Sequence, residues 1–184
     1  MSSGPSLTRR IIRVLPLALM LLATGCGFQL RGSSPVPPAL QPLAVVCDRQ
    51  VPEPLCQAVR EQLELGRVQV QDATEAAYIL TLDDFRQDRR ATAITARGSA
   101  AEYRLSQSLR MSVRTADQVP LLAGAELVAR ESYRYDETNV LAKQREQEEL
   151  ERQLHDRLAQ QVLFRLAPLT EARIRDLRQA HEAP

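Results

Sequence analysis

Histidine is scarce in this chain: its 184 residues include two, His155 and His181. The first lies in a strongly charged stretch and the second near the C-terminus, and neither stands at a spacing that binds a metal. No G-x-S-x-G, no phosphate-binding glycine loop and no Cys/His pair occurs. Asp83 and Asp84, neighbours on an expected strand, should point to opposite faces and so make a poor general acid/base pair. No catalytic residue, cofactor or metal is therefore expected. A surplus of one charge is missing too, since 24 Lys and Arg against 23 Asp and Glu give a formal net charge of +1. Arg9, Arg10 and Arg13 supply three of the positive charges within the first 25 residues, which leaves the remainder at about −2. Nucleic-acid binding needs a basic excess, so it is not expected. Long apolar runs are absent as well. "VLPLALMLLA" (14–23) falls short of the roughly 20 residues that cross a bilayer, and nothing later approaches that length.

What that short run does is set by its flanks. A basic start, an apolar middle and the small residues Ala23, Thr24 and Gly25 read as a secretory signal over 1–25. An ordinary cleavage site needs small residues but no cysteine, and here Cys26 follows directly. Its thiol is the nucleophile that takes a diacylglycerol in a lipoprotein, and cleavage frees its amine for a third chain. Several acyl chains anchor stably where one does not, so a tri-acylated Cys26 would stay on the membrane. Gly27 stands in place of the Asp usual in lipoproteins retained at the inner membrane, so the expected address is the outer membrane, lipid-anchored on its periplasmic side.

Two cysteines remain, Cys47 and Cys56. An even count in an oxidising compartment favours a disulfide, while two buried thiols are the alternative.

"RGSSPVPPALQP" (31–42) reads as an extended tether, so 26–42 form the lipidated N-terminus. A domain over 43–167 follows, then a polar tail over 168–184 that either stays helical or frays. "LAVVCD" (43–48) is a short buried strand, "VPEPLCQAVREQLEL" (51–65) a helix stopped by Gly66, and "RVQVQD" (67–72) alternates as a strand. "YILTLDDFRQDRRATAI" and "AEYRLSQSLRMSVRTAD" flank a turn at Gly98. In the second, Tyr103, Leu105, Leu109, Met111 and Val113 share one face, and Arg104, Ser106, Ser108, Arg110, Ser112 and Arg114 the other. A further strand carries Ala123, Ala125, Leu127, Ala129, Tyr133 and Tyr135 on one face. From Val140 to Leu166 no Gly or Pro intervenes, and Leu150, Leu154, Leu158 and Val162 recur every fourth residue. That is a long amphipathic helix, capped by Thr138 or Asn139 and closed or kinked by Pro168. The expected fold is α+β, a two-layer sandwich with a mostly antiparallel four- to five-stranded sheet and two helices on one face.

Arg86, Arg89, Arg90 and Arg97 crowd one hairpin, with Asp88 the acid among them. Arginine grips phosphate through two parallel hydrogen bonds, so the hairpin suits an anionic lipid headgroup; a solvated hairpin is the plainer alternative.

Cys26 followed by "GFQLRG", a Pro-containing tether and a strand resembles the opening of the LPS-assembly lipoproteins, the LptE family. Mature chains of that family begin Cys-Gly-(aromatic)-x-Leu-Arg. "AEY" (101–103) looks like the family's mid-chain signature, and "NVLAKQREQEEL" (139–150) is similar to the start of its last helix. The resemblance spans Cys26 to about Leu166. It implies a helices-on-sheet domain seated as a plug in the outer-membrane β-barrel LptD, in a 1:1 complex that inserts lipopolysaccharide into the outer leaflet. It also implies that the lipoprotein helps the barrel assemble and binds lipopolysaccharide through basic residues. Lys143, in "LAK", falls where the family has such a lysine, and Arg97 lies nearest to its arginine ahead of "AEY". The expected lipopolysaccharide-binding residues are thus Lys143, Arg97, Arg90, Arg89 and Arg86. A free-standing lipid- or glycan-binding lipoprotein is the competing reading, and a hydrolase a distant third.

Overall fold

Two periodicities, one of two residues over 78–134 and one of about four after 140, dictate the architecture. In the computed structural model, residues 35–96, 98, 100–135 and 140–183 are described. They lie in one compact unit, Ser33–Pro184. The elements are β1 (Leu43–Cys47), α1 (Glu53–Leu65), β2 (Tyr78–Ile94), β3 (Ala100–Thr115), β4 (Pro120–Arg134), α2 (Val140–Leu166) and α3 (Glu171–Glu182). The sheet runs β1-β2-β3-β4, with β1 parallel to β2 and the other two pairs antiparallel. This is the expected α+β sandwich, with four strands and a third α-helix. One face of β2, β3 and β4 carries Leu80, Leu82, Leu105, Leu109, Met111 and Leu127, which join Leu55, Val59 and Leu63 of α1 and Leu154, Leu158, Val162 and Leu166 of α2 in a single core. Each such leucine contributes about 1.5–3 kcal/mol on burial.

Several local expectations are corrected. "RVQVQD" is no strand among the described residues: Val70 makes one isolated bridge to Leu43. Its alternation serves packing, because Val68 is buried and Val70 lies against the core. The polar tether ends earlier than Pro42, because Val36 and Leu40 are buried around a 3-10 turn, Pro38–Leu40. Past Pro168, where the sequence leaves both a helix and a frayed tail open, the chain folds as α3, with Leu169 and Ile174 buried. The Thr170 hydroxyl caps α3 by accepting from the Arg173 backbone N–H (3.3 Å), and Arg178 reaches Asp117 beyond the end of β3 (3.2 Å). On β4, Ala123 is exposed instead of sharing the core face. A register shift puts Leu122 opposite Val113, and Gly124 takes φ +57°, so Leu122 packs inward in its place.

Asp83 and Asp84 do not point to opposite faces. Asp84 adopts φ +49°, in the left-handed region that Asp tolerates better than most residues. Both carboxylates then meet Arg110, at 2.6 Å from Asp83 and 3.6 Å from Asp84. The expected caps Thr138 and Asn139 lie outside the described residues.

Candidate functional site

The bulge at Asp84 decides what the arginine hairpin presents. Up to Asp83 the β2–β3 register pairs Asp83 with Arg110, and it resumes with Arg86 opposite Ser108, so two residues of β2 face Leu109 alone. A bulge of this kind reverses which face each later residue occupies. Leu80 and Leu82 face the helices, and after the bulge Phe85, Gln87 and Arg89 do so in place of Asp84, Arg86 and Asp88. Arg86, Asp88 and Arg90 are turned to the helix-free face. The hairpin's arginines therefore do not form one cluster.

On the helix side, α2 continues its inward stripe beyond the core with polar residues. One turn at a time from Leu154, the half-buried positions are Glu151, beside Leu150 at the edge of the core, then Gln147, then Lys143. Gln107, fully buried between Leu105 and Leu109, donates from Nε2 to Gln87 Oε1 (2.8 Å). Gln87 and Gln147 both donate to Glu151 Oε1, at 3.0 and 2.9 Å. Arg89 Nη1 and the Tyr133 hydroxyl both donate to Gln147 Oε1, each at 2.9 Å. This chain of bonds ties α2 to the distal sheet where no apolar core reaches.

Arg89 is held from a second side. Its guanidinium carbon lies 4.6 Å from the centroid of the Tyr103 ring, within cation–π range. Tyr103 in turn stacks on Tyr133 (5.9 Å) and meets Tyr135 edge-on (5.3 Å). The neighbouring tyrosines, Tyr133 foremost, hold the Arg89 guanidinium even more firmly in its charged form. The result is an oriented, permanent cation at the rim of a tyrosine cluster, suited to an anionic group with a flat or apolar body.

Lys143 stands one helical turn before Gln147, with a fifth of its side chain exposed, and pairs with Glu146 at 2.6 Å. A cation in the first turn of a helix opposes the helix dipole, and this ion pair offsets that cost locally. Arg97 and Cys26 lie outside the described residues. Of the five basic residues singled out in the sequence, the structure thus puts Arg89 and Lys143 on the helix side and Arg86 and Arg90 on the other. Arg86 pairs with Asp84 (3.0 Å) and Arg90 with Asp88 (2.7 Å). Cys47 and Cys56 are joined by a disulfide with a Cα–Cα distance of 6.3 Å, tying the end of β1 to the first turn of α1.

Gln87, Gln107, Gln147 and Glu151 were not singled out in the sequence. Gln107 carried a readable signal: it occupies an inward position in an otherwise apolar alternation, and a polar group there needs a partner. The other three had none, because their inward orientation depends on the bulge and on where the apolar stripe of α2 stops. Among the described residues, no group of three or more His, Cys, Asp or Glu is placed to hold a metal ion, and no helix is long and apolar enough to cross a membrane.

A family model described as LptE: Lipopolysaccharide-assembly matches residues 39–166. The chain belongs to this family. The matched span contains all four strands, α1, α2 and the whole Arg89–Tyr103–Gln147 arrangement. An LPS-assembly lipoprotein LptE of Pectobacterium atrosepticum is 32% identical over 161 residues, covering 83% of this chain and 82% of that protein. The one from Yersinia enterocolitica is 28% identical over 174 residues, covering 91% and 80%. Among solved structures, rare lipoprotein B of Shewanella oneidensis superposes with a TM-score of 0.60 at 26% identity, covering 69% of this chain and 94% of that one. Lipoprotein B of Nitrosomonas europaea shares the fold, with a TM-score of 0.64 at 19% identity over 78% of this chain and 92% of that one. The LptE match leaves α3 outside its span.

Proposed function

We propose that the protein is a non-catalytic outer-membrane lipoprotein, anchored through acylated Cys26 on the periplasmic side. In this reading it plugs the LptD barrel in a 1:1 complex, helps that barrel assemble, and binds lipopolysaccharide on its way to the outer leaflet. The observation that carries the reading is the LptE family match across the whole sheet and long helix. Two features support its finer parts. The helix-free sheet face is polar along β3, as the wet lumen of a large barrel would require. On the other face, Arg89 is oriented by Tyr103 and Gln147, with Lys143 one turn away on α2. Phosphates of lipid A would take charge-assisted bonds from these two cations and from Arg97. Arg86 and Arg90 are left out of this site because they face the opposite way.

Two measurements on the full-length protein test the reading. Affinity purification from detergent-solubilised outer membranes should bring down a large β-barrel in equal amount; a chain recovered alone would favour the free-standing lipid-binding lipoprotein. Lys143→Asp combined with Arg89→Asp should weaken lipopolysaccharide binding at least tenfold, by loss of two charge-assisted contacts of about 1.5–3 kcal/mol each, with the barrel complex retained. Unchanged binding would reject the site, and a lost complex would make these residues structural.

A further inference from the structure

The helix-free face of the sheet divides into two halves of different charge. Beside the bulge, Asp83, Asp84 and Glu126 surround Arg110, which Asp83 holds firmly in its charged form. That half is balanced. Towards the hairpin the rows read Arg86–Ser108–Val128, Asp88–Ser106–Arg130 and Arg90–Arg104–Ser132 across β2, β3 and β4. Four arginines here face one carboxylate of their own rows, that of Asp88, and Arg90 stands directly opposite Arg104. Like charges at directly opposed positions destabilise a sheet. Asp84 takes Arg86 and Asp88 takes Arg90. Arg104 and Arg130 have no acidic partner among the described residues.

The shape fits the charge. Arg86, Asp88, Arg90, Arg104 and Arg130 line a depression of about 350 Å³ whose floor is Ser106 and Ser108. That volume lies at the lower end of small-ligand sites. Neither serine hydroxyl bonds another described residue, so two hydroxyl donors and two unpaired guanidinium groups converge on one space. The backbone beneath is held: the Arg130 carbonyl accepts from Arg157 Nη1 of α2 (3.4 Å), and the Val128 carbonyl from Gln161 Nε2 (3.1 Å).

We propose that this depression is a binding site for a phosphate-class anion, separate from the Arg89–Lys143 site on the other face of the sheet. Guanidinium forks and hydroxyls are the donor set that phosphate oxygens take, and a phosphate would remove the repulsion between Arg90 and Arg104. A protein partner fits less well, because the patch offers no apolar or aromatic anchor at its centre. A free phosphate or diphosphate and a phosphate monoester on a lipid headgroup share this chemistry. The site stands on the arrangement of Arg104, Arg130, Ser106 and Ser108, and does not depend on the barrel reading.

The test is amide NMR on the full-length protein in uncharged detergent micelles, titrated with inorganic pyrophosphate or with micelles doped with phosphatidic acid. In at least one arm, the amides of Arg104, Ser106, Ser108 and Arg130 should shift saturably. Saturation with pyrophosphate assigns a free anion, and saturation with doped micelles alone assigns a headgroup. Arg104→Gln with Arg130→Gln should weaken binding about tenfold or more, while Arg175→Gln on α3 leaves it unchanged. Shifts spread over all arginine-bearing surfaces, or a double variant that binds as well as the parent, would overturn the proposal. So would a double variant that keeps phosphate binding but loses a co-purifying barrel, since the face would then be a protein interface.

Discussion

The disulfide between Cys47 and Cys56 offers a perturbation whose size can be worked out in advance. The two residues are separated by nine positions, so the bond closes a loop of about ten residues. Loop-closure entropy for that length gives about 2.7 kcal/mol of stabilisation at 25 °C, nearly all of it from restricting the unfolded chain. The native state gains little else from the bond. Cys56 is fully buried and would remain in place as a small apolar side chain, and Cys47 is half-buried. Reduction with a phosphine, and Cys47→Ala, should therefore cost similar amounts. With a urea m-value of about 2 kcal/mol/M, the unfolding midpoint should fall by roughly 1 to 2 M in each case. Cys56→Ala should cost more, because it adds a cavity in the core. Equal midpoints for oxidised, reduced and Cys47→Ala protein would refute the entropic reasoning. Alkylation of both thiols in protein purified without reductant would remove its premise.

Two further predictions concern buried polar groups. Gln107 Oε1 has no hydrogen-bond partner among the described residues although Gln107 is fully buried, so Gln107→Leu should raise stability by about 1–2 kcal/mol in urea unfolding; a loss instead would mean that the oxygen is satisfied, by a water for example. His155 packs edge-on against Phe85 at the bulge, and burial lowers its pKa below the ordinary 6.5 despite the opposing pull of Glu151 and Asp156. The fold favours the neutral imidazole, so this contribution to stability should be fully present above pH 6.5 and decline as acidification protonates the unfolded chain first, and His155→Gln should flatten that slope.

The sheet was most legible where one face is apolar and the other polar in strict alternation. Along β3 the inward set Leu105, Leu109, Met111 and Val113 is buried as its period dictates. The leucine recurrence of α2 was equally plain. The same rule misled at "RVQVQD", because Val68 and Val70 alternate to pack rather than to pair. It was silent at α3, where Leu169, Ile174 and Leu177 are too few among charges to set a period. Prolines hid the contributions of Val36 and Leu40.

The candidate site was harder to read for a specific reason. Period-two reasoning assigns faces only relative to a register, and from Asp83 to Arg90 the chain is almost entirely charged or amidic. Phe85 is the one apolar marker in that stretch, and a single position cannot set a phase. A bulge there leaves no trace in hydropathy, yet it decides that Arg89 meets Tyr103 and α2 while Arg86 and Arg90 meet Arg104 and Arg130. The energetic reason for the bulge lies with its neighbours. Phe85 gains contact with the core and with His155, and both Asp83 and Asp84 reach Arg110. Without it, Arg86 and Asp88 would be turned from water towards α2 and the fully buried Leu109 and Gln107. Desolvating two charges there costs more than one residue in the left-handed region, so the slip is the cheaper solution. The division of the hairpin's arginines between two faces follows from core packing, and both proposed anion sites, one on each face of the small sheet, rest on this division.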